Sequence, residues 1–195
     1  MTAEHRAKQG VVSAYYFTEL LCKHTTKEDV IVPESSGAAG EITYQAFSPK
    51  RGQKMKNAAG LGSMGFGLPY SIGACLANER RRTILINGDG AFQMNIQEMA
   101  TAVVQEAPVI ICLFNNYYLG MVRQMQQLFY GKRYEATCLR RRRTCPANCK
   151  GPNASCPPYT PDFIALAKSY GAHGIRVEKE EDIQAALDEA RTYTD

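Results

Sequence analysis

Thr83-Ile-Leu-Ile-Asn-Gly-Asp-Gly90 and, further along, Val109-Ile-Ile-Cys-Leu-Phe-Asn-Asn116 share one design. Each opens with a strand-length stretch, Thr83 to Asn87 and Val109 to Phe114, and then breaks into small polar residues. Neither alternates apolar with polar, as a strand with one solvated face would, so both faces of each strand have to be covered. Between them, Asn95 to Glu106 places Ile96, Met99, Ala100 and Val103 at helical spacing, and Pro108 ends the helix. Apolar strands separated by a helix predict a doubly wound α/β fold, a mainly parallel sheet with helices on both faces.

The same rhythm extends outward. Val11, Val12, Tyr15, Tyr16, Leu20 and Leu21 predict a helix within Gly10 to Lys23, and Asp29 to Pro33 reads as a short strand. Gly60-Leu-Gly-Ser-Met-Gly-Phe-Gly67 is a glycine-dense turn, followed by a helix from Leu68 to Asn78. Leu119 to Phe129 is helical in pattern. Near the end, Asp162 to Tyr170 predicts a helix with Thr160 or Pro161 near its start, Gly174 to Val177 a short strand, and Glu180 to Arg191 a final helix. The stretch between lacks periodicity and is dense in Pro, Cys and Asn, so residues from about 138 to 160 read as a surface excursion.

Apolar residues make up 45% of the 195, enough for one substantial core, so residues 1–195 are expected to form a single domain. Met1 to Gln9 are polar and no apolar run reaches bilayer length, so neither a secretion signal nor a membrane anchor is expected. The net charge of +4 is concentrated in Arg140 to Arg143, which gives little support to a nucleic-acid partner. That run reads as solvated, or else as a patch for an acidic subunit or an anion. An odd count of seven cysteines without a secretion signal argues for a reducing, cytoplasmic setting. Cys22, Cys75 and Cys112 lie in apolar patterns. Cys138, Cys145, Cys149 and Cys156 cluster in the excursion, where free thiols, a disulfide, or a zinc or iron-sulfur site are the readings open.

Ligands of doubly wound sheets sit outside the carboxyl ends of the strands, and Gly88-Asp89-Gly90 and Asn115-Asn116 both fall there. Flanking glycines let backbone N–H groups approach an anion without obstruction. A carboxylate and amide oxygens suit a hard cation such as magnesium, and a helix beginning near Leu119 turns its positive end to the same place. The set describes a magnesium-diphosphate site. Asp89 alone would be an ordinary helix-capping turn residue, Met94 an ordinary core filler, and His5, His24 and His173 are isolated.

Gly88-Asp89-Gly90 and Asn115-Asn116, with residues 91–114 between them, resemble the signature of thiamine-diphosphate enzymes. Gly62-Ser-Met-Gly-Phe-Gly-Leu-Pro69, Gly88 to Glu98, Leu119-Gly-Met-Val-Arg-Gln124 and Leu128-Phe-Tyr130 are similar to the acetolactate synthase type in particular. The resemblance implies thiamine diphosphate with Mg2+ as cofactors. It implies Asp89, Asn116 and the Tyr118 carbonyl as metal ligands, and Gly90 and Ala91 as backbone donors to the diphosphate beside Gly88. Gly62, Ser63 and Met64 would meet the aminopyrimidine, and Gly120 and Met121 also belong to the cofactor site. Val122 and Met125 would line the substrate pocket.

Two positions depart from the family pattern. Ala38-Ala39 stand where the family usually has a Gln-His pair, and Met125 stands where it usually has a tryptophan. The family's catalytic glutamate lies on a pyrimidine-binding domain that no segment here resembles. The implied activity is decarboxylation of pyruvate and transfer of the two-carbon unit to a second 2-keto acid in branched-chain amino-acid biosynthesis. It is expected only in an oligomer, homo- or heteromeric, completed by a chain or domain carrying the pyrimidine-binding half. Another thiamine-diphosphate 2-keto-acid decarboxylase or carboligase, and a non-catalytic binding or regulatory module, are the competing readings.

Overall fold

The structure, a computed structural model, describes residues 11–34, 37–58, 60–149, 151, 156 and 161–193. The elements run α1 (Ala14–His24), β1 (Val30–Pro33), a π-helical turn (Ala38–Ile42), α2 (Thr43–Ala46), α3 (Gly67–Ala77), β2 (Thr83–Gly88) and α4 (Asp89–Phe92). They continue with α5 (Glu98–Val104), β3 (Val109–Phe114), α6 (Gly120–Phe129), α7 (Phe163–Ser169), a 3-10 turn (Glu180–Asp182) and α8 (Ile183–Thr192).

The three strands form one parallel sheet in the order β1-β2-β3, with Val32 opposite Leu85 and Ile86 opposite Cys112. Strand side chains alternate between faces, so each strand feeds two cores. Val30, Val32 and Leu85, with Val109, Ile111 and Leu113 at the margin, meet Leu68 and Ile72 of α3 and Met99 and Ala102 of α5. Ile31, Ile84 and Ile86 meet Leu21 of α1 and Ile183 and Leu187 of α8 on the other face. The predicted double winding is present.

Ends of elements have local causes. The Ser13 hydroxyl accepts from Tyr16 N at the start of α1. At the amino ends of β1 and β2, the Arg82 guanidinium grips buried Asp29 through two hydrogen bonds of 2.9 and 3.0 Å. Arginine's planar fork suits that bidentate geometry. The outer edge of β1 is covered where Ile31 N donates to Lys54 O and Lys56 N to Ile31 O. The outer edge of β3 has no ladder partner among the described residues.

Three expectations need correcting. The helix predicted from Asn95 starts only at Glu98, because the Asn95 side chain donates to Gly65 O at 2.8 Å and the chain there makes i to i+3 turns. Gly174 to Val177 form no strand, the apolar run being too short to hold a ladder against β3. The last helix begins as a 3-10 turn. Asp162 caps α7, accepting from Ile164 N and Ala165 N, which holds its carboxyl below the usual carboxylate range. Thr160, expected near that start, lies outside the described residues.

Candidate cofactor site

The carboxyl ends of all three strands deliver polar groups to one edge. Asp89 follows β2 directly and is 1% exposed. Its Oδ1 accepts from Gly90 N at 3.0 Å and its Oδ2 from Tyr117 N at 2.8 Å. Tyr117 reaches that position with φ +64°, a left-handed conformation that non-glycine residues rarely adopt. The Asn116 Oδ1 accepts from Tyr118 N at 2.8 Å, folding the loop after β3 into a tight turn. Asp89, Asn116 and Tyr118 therefore stand on two adjoining loops, with Asp89 hydrogen-bonded across to the second.

Burial pushes the Asp89 carboxyl up to about 6, against the pull of the backbone donors at Tyr117 and Gly90. A carboxylate in that state lacks a counter-charge. A bound cation would supply it, and the neighbouring oxygens of Asn116 and the Tyr118 backbone are hard ligands of the right kind. The residues present thus fit a magnesium ion. Gly90 fits the same picture sterically. A Cβ there would stand 2.7 Å from Leu119 Cδ2 and 3.4 Å from Met64 Cε, so any larger residue would push the tips of those two side chains aside. Gly120 is close-packed too, a Cβ coming 3.3 Å from Asn116 Nδ2.

Gly62 and Ser63 share the turn that carries Met64, and Gly62 has φ +63° with open space where a side chain would go. Gly90 N is occupied by Asp89 Oδ1, which leaves Ala91 N as the freer of the two diphosphate donors expected. Met121, Val122 and Met125 lie on α6, which buries none of its residues; with Leu128, Phe129 and Tyr130 they form an exposed apolar face. Ala38 and Ala39 fall in the π-helical turn after β1, where Ala39 is buried and neither offers a polar side chain.

The excursion is tied to this site. Leu119 N donates to Thr137 O, Leu139 N to Tyr117 O, and Tyr118 pairs with Cys138 in an antiparallel bridge. Burial pushes the Tyr118 phenol up, Arg123 opposes this, and Cys138, Cys149 and Cys156 reinforce it. Arg123 lies 4.5 Å over the Tyr118 ring and Arg140 5.1 Å over that of Tyr117.

Two groups escaped the sequence reading. Glu34, 0% exposed, follows β1 and accepts from Gly67 N at 2.9 Å. Asn87 is equally buried, one residue before the glycine-aspartate turn, and neither its Oδ1 nor its Nδ2 has a hydrogen-bond partner among the described residues. A charge placed directly after an apolar strand was the available signal for Glu34; Asn87 had been counted as the end of a strand.

The fold and site together define an α/β domain that clasps an anionic cofactor through a metal ion. The family model described as thiamine pyrophosphate enzyme, C-terminal TPP binding domain, matches residues 36–195, and the chain belongs to that family. It is 42% identical over 144 residues to a probable acetolactate synthase large subunit of Methanococcus aeolicus, covering 74% of this chain and 21% of that one. It is 36% identical over 187 residues to the acetolactate synthase of Mycobacterium leprae, covering 93% of this chain and 27% of the relative. The chain thus spans about a quarter of the length of these curated relatives. Benzoylformate decarboxylase from Polynucleobacter necessarius superposes with a TM-score of 0.78 at 24% identity, over all of this chain and 33% of its own, a likeness of fold. Thiamine diphosphate with magnesium is the cofactor of the family. Among the described residues no helix is long and apolar enough to cross a membrane.

Proposed function

We propose that this chain, one domain over residues 1–195, is the cofactor-clasping part of an acetolactate-synthase-type enzyme that decarboxylates pyruvate and transfers the two-carbon unit to a second 2-keto acid. The observation that supports this most is the buried Asp89 carboxylate, short of a counter-charge and hydrogen-bonded to the loop that carries Asn116 and Tyr118. Asp89, the Asn116 amide oxygen and the Tyr118 carbonyl would hold magnesium. Ala91 N–H, with Gly90, Gly88 and the positive end of α6 near Gly120, would hold the diphosphate. Gly62, Ser63 and Met64 would seat the aminopyrimidine with Met121 beside it, and Val122 and Met125 would line the substrate pocket. When bound, thiamine diphosphate supplies the electron sink for breaking and making bonds next to a carbonyl.

The residues of this chain bind, orient and shield; the proton-transferring glutamate of the family has no counterpart here. The apolar face of α6 is the natural seat for a pyrimidine-binding half carried by another chain or domain, and the active form is a cytoplasmic oligomer without nucleic-acid or membrane partners. Calorimetric titration of thiamine diphosphate with magnesium, alone and after adding that half, tests this. Binding that appears or tightens with the added half is expected; no binding in either case would leave a non-catalytic module. A second reading, another 2-keto-acid decarboxylase or carboligase, draws on Ala38-Ala39, which leave the turn after β1 without the polar pair usual in the family. Product analysis of the assembled enzyme with pyruvate plus 2-ketobutyrate separates the two.

A further inference from the structure

The side chains of Cys138, Cys145, Cys149 and Cys156, clustered in the excursion, line one cavity of about 20 Å3 beside the clasp. All four are free thiols. Residues 139–144, 146–148 and 150–155 separate them, a symmetric spacing of six, three and six. Among the described residues the cavity's charged lining residues are Arg123, Arg140 and Arg141, with no carboxylate. Three guanidiniums beside the four sulfurs would offset the negative charge that a metal's thiolate ligands bring. The ligand set is soft throughout, with no carboxylate or imidazole, which selects a thiophilic metal over magnesium or calcium. Room for about one water-sized occupant suits a single ion and is too little for an iron-sulfur cube.

The local backbone points the same way. Arg141 N donates to Cys138 O, Cys145 N to Arg142 O and Cys149 N to Pro146 O, so three successive tight turns carry the first three thiols. Arg142 N donates to Cys145 Sγ at 3.2 Å, the kind of N–H to sulfur bond that steadies a coordinated thiolate. Arg140 ties the far end by donating to Cys156 O at 3.2 Å. No described residue from 130 to 156 belongs to either hydrophobic core, so apolar packing does not hold this segment. Small coreless segments need a staple, and bound metal is a common one.

We propose that Cys138, Cys145, Cys149 and Cys156 form a tetrathiolate site for one zinc ion, which pins the excursion against the loop that carries Asn116 and Tyr118. Among the described residues no three metal-ligating side chains already converge on one point, so the thiols close around the ion as it binds. Each thiol gives its proton to solvent, four in all, and the centre carries two negative charges next to the three arginines. Because Cys138 bridges Tyr118 and its neighbours bond Tyr117 and Leu119, the ion also braces the cofactor loop from outside.

Metal analysis of the full chain purified under reducing conditions tests this, and the test is independent of the cofactor reading. One zinc per chain is expected. Cobalt(II) exchanged into the site should give intense thiolate-to-metal charge-transfer absorption and the visible bands of a tetrahedral ion. Of the seven cysteines, four should resist thiol reagent until a chelator is added. Cys145→Ser with Cys149→Ser should lose the metal, while Cys22→Ser keeps it; if the double variant does not fold, the cobalt spectrum of the unaltered chain decides. The proposal is overturned if added zinc leaves all exposed thiols reactive and cobalt gives only an octahedral spectrum, or if the chain carries iron with inorganic sulfide. A zinc centre in a chain that ignores thiamine diphosphate both alone and with the pyrimidine-binding half would defeat the proposed function and leave this site standing.

Discussion

The loops at the ends of β2 and β3 and the helix that follows them, α6, serve the same site in opposite physical states. Asp89 is 1% exposed, held by two backbone donors and backed by a sheet whose Leu85 and Ile86 are wholly buried. On α6, Met125 is 50% exposed and Phe129 68%, with no described residue covering them. In the proposed reading the anion-clasping half is finished within this chain, whereas the wall proposed to shape the substrate is bare apolar surface. Cofactor affinity and substrate selection should therefore respond to different interventions.

The largest expected effect is on the finished half. Asp89→Ala should weaken magnesium-dependent thiamine diphosphate binding by about a hundredfold or more, read by calorimetry, since it removes the charged ligand itself. Unchanged affinity would break the contrast outright. Next, Leu85→Ala should lower unfolding stability by about 2–5 kcal/mol in denaturant titration, because Leu85 is central in the sheet and in one of its two cores.

The Asp89 carboxyl gives a sharper test. The folded chain holds this proton more tightly than the unfolded chain, whose value lies near 3.8, so the carboxyl favours folding at low pH. That advantage is lost as pH rises from about 4 to 6, and above the window the buried charge costs about 3 kcal/mol. Metal-free Asp89→Asn loses one acceptor for the two backbone donors at every pH, but relative to the unaltered chain it should gain stability between pH 4 and pH 8, while still failing to bind magnesium. Parallel pH profiles for the two chains would refute the burial argument. Gly90→Ala should cost about 1–3 kcal/mol as Leu119 and Met64 give way. Smallest of all, Met125→Ser should change the stability of the isolated chain by less than about 0.5 kcal/mol, and show itself only when the pyrimidine-binding half is added.

Legibility in the sequence followed the same division. Val109–Phe114 emerged residue for residue, and Thr83 to Asn87 one residue short, because a fully apolar run bounded by Gly, Pro or Asn has few other ways to fold. The glycine-aspartate and asparagine pairs were legible because strand ends put them together. Met55 pairing with Ile31, and the burial of Glu34 under Gly67, were not, since each depends on a single contact between distant segments that leaves no period behind. Gly174 to Val177 had the residue types of a strand without the length. The four cysteines could be counted but not located, because turns without periodicity carry no signal of which side chains they gather.

The margin of β3, which has no ladder partner among the described residues, bears on how the protein behaves in a tube. A parallel sheet that stops at an apolar strand offers a row of free N–H and C=O groups to any similar edge, and natural proteins guard such edges with charge, proline or a covering segment. Val109 to Phe114 contains none of those guards. Handled alone at high concentration, the chain is expected to self-associate through this border and turn cloudy on standing, which light scattering against concentration would show.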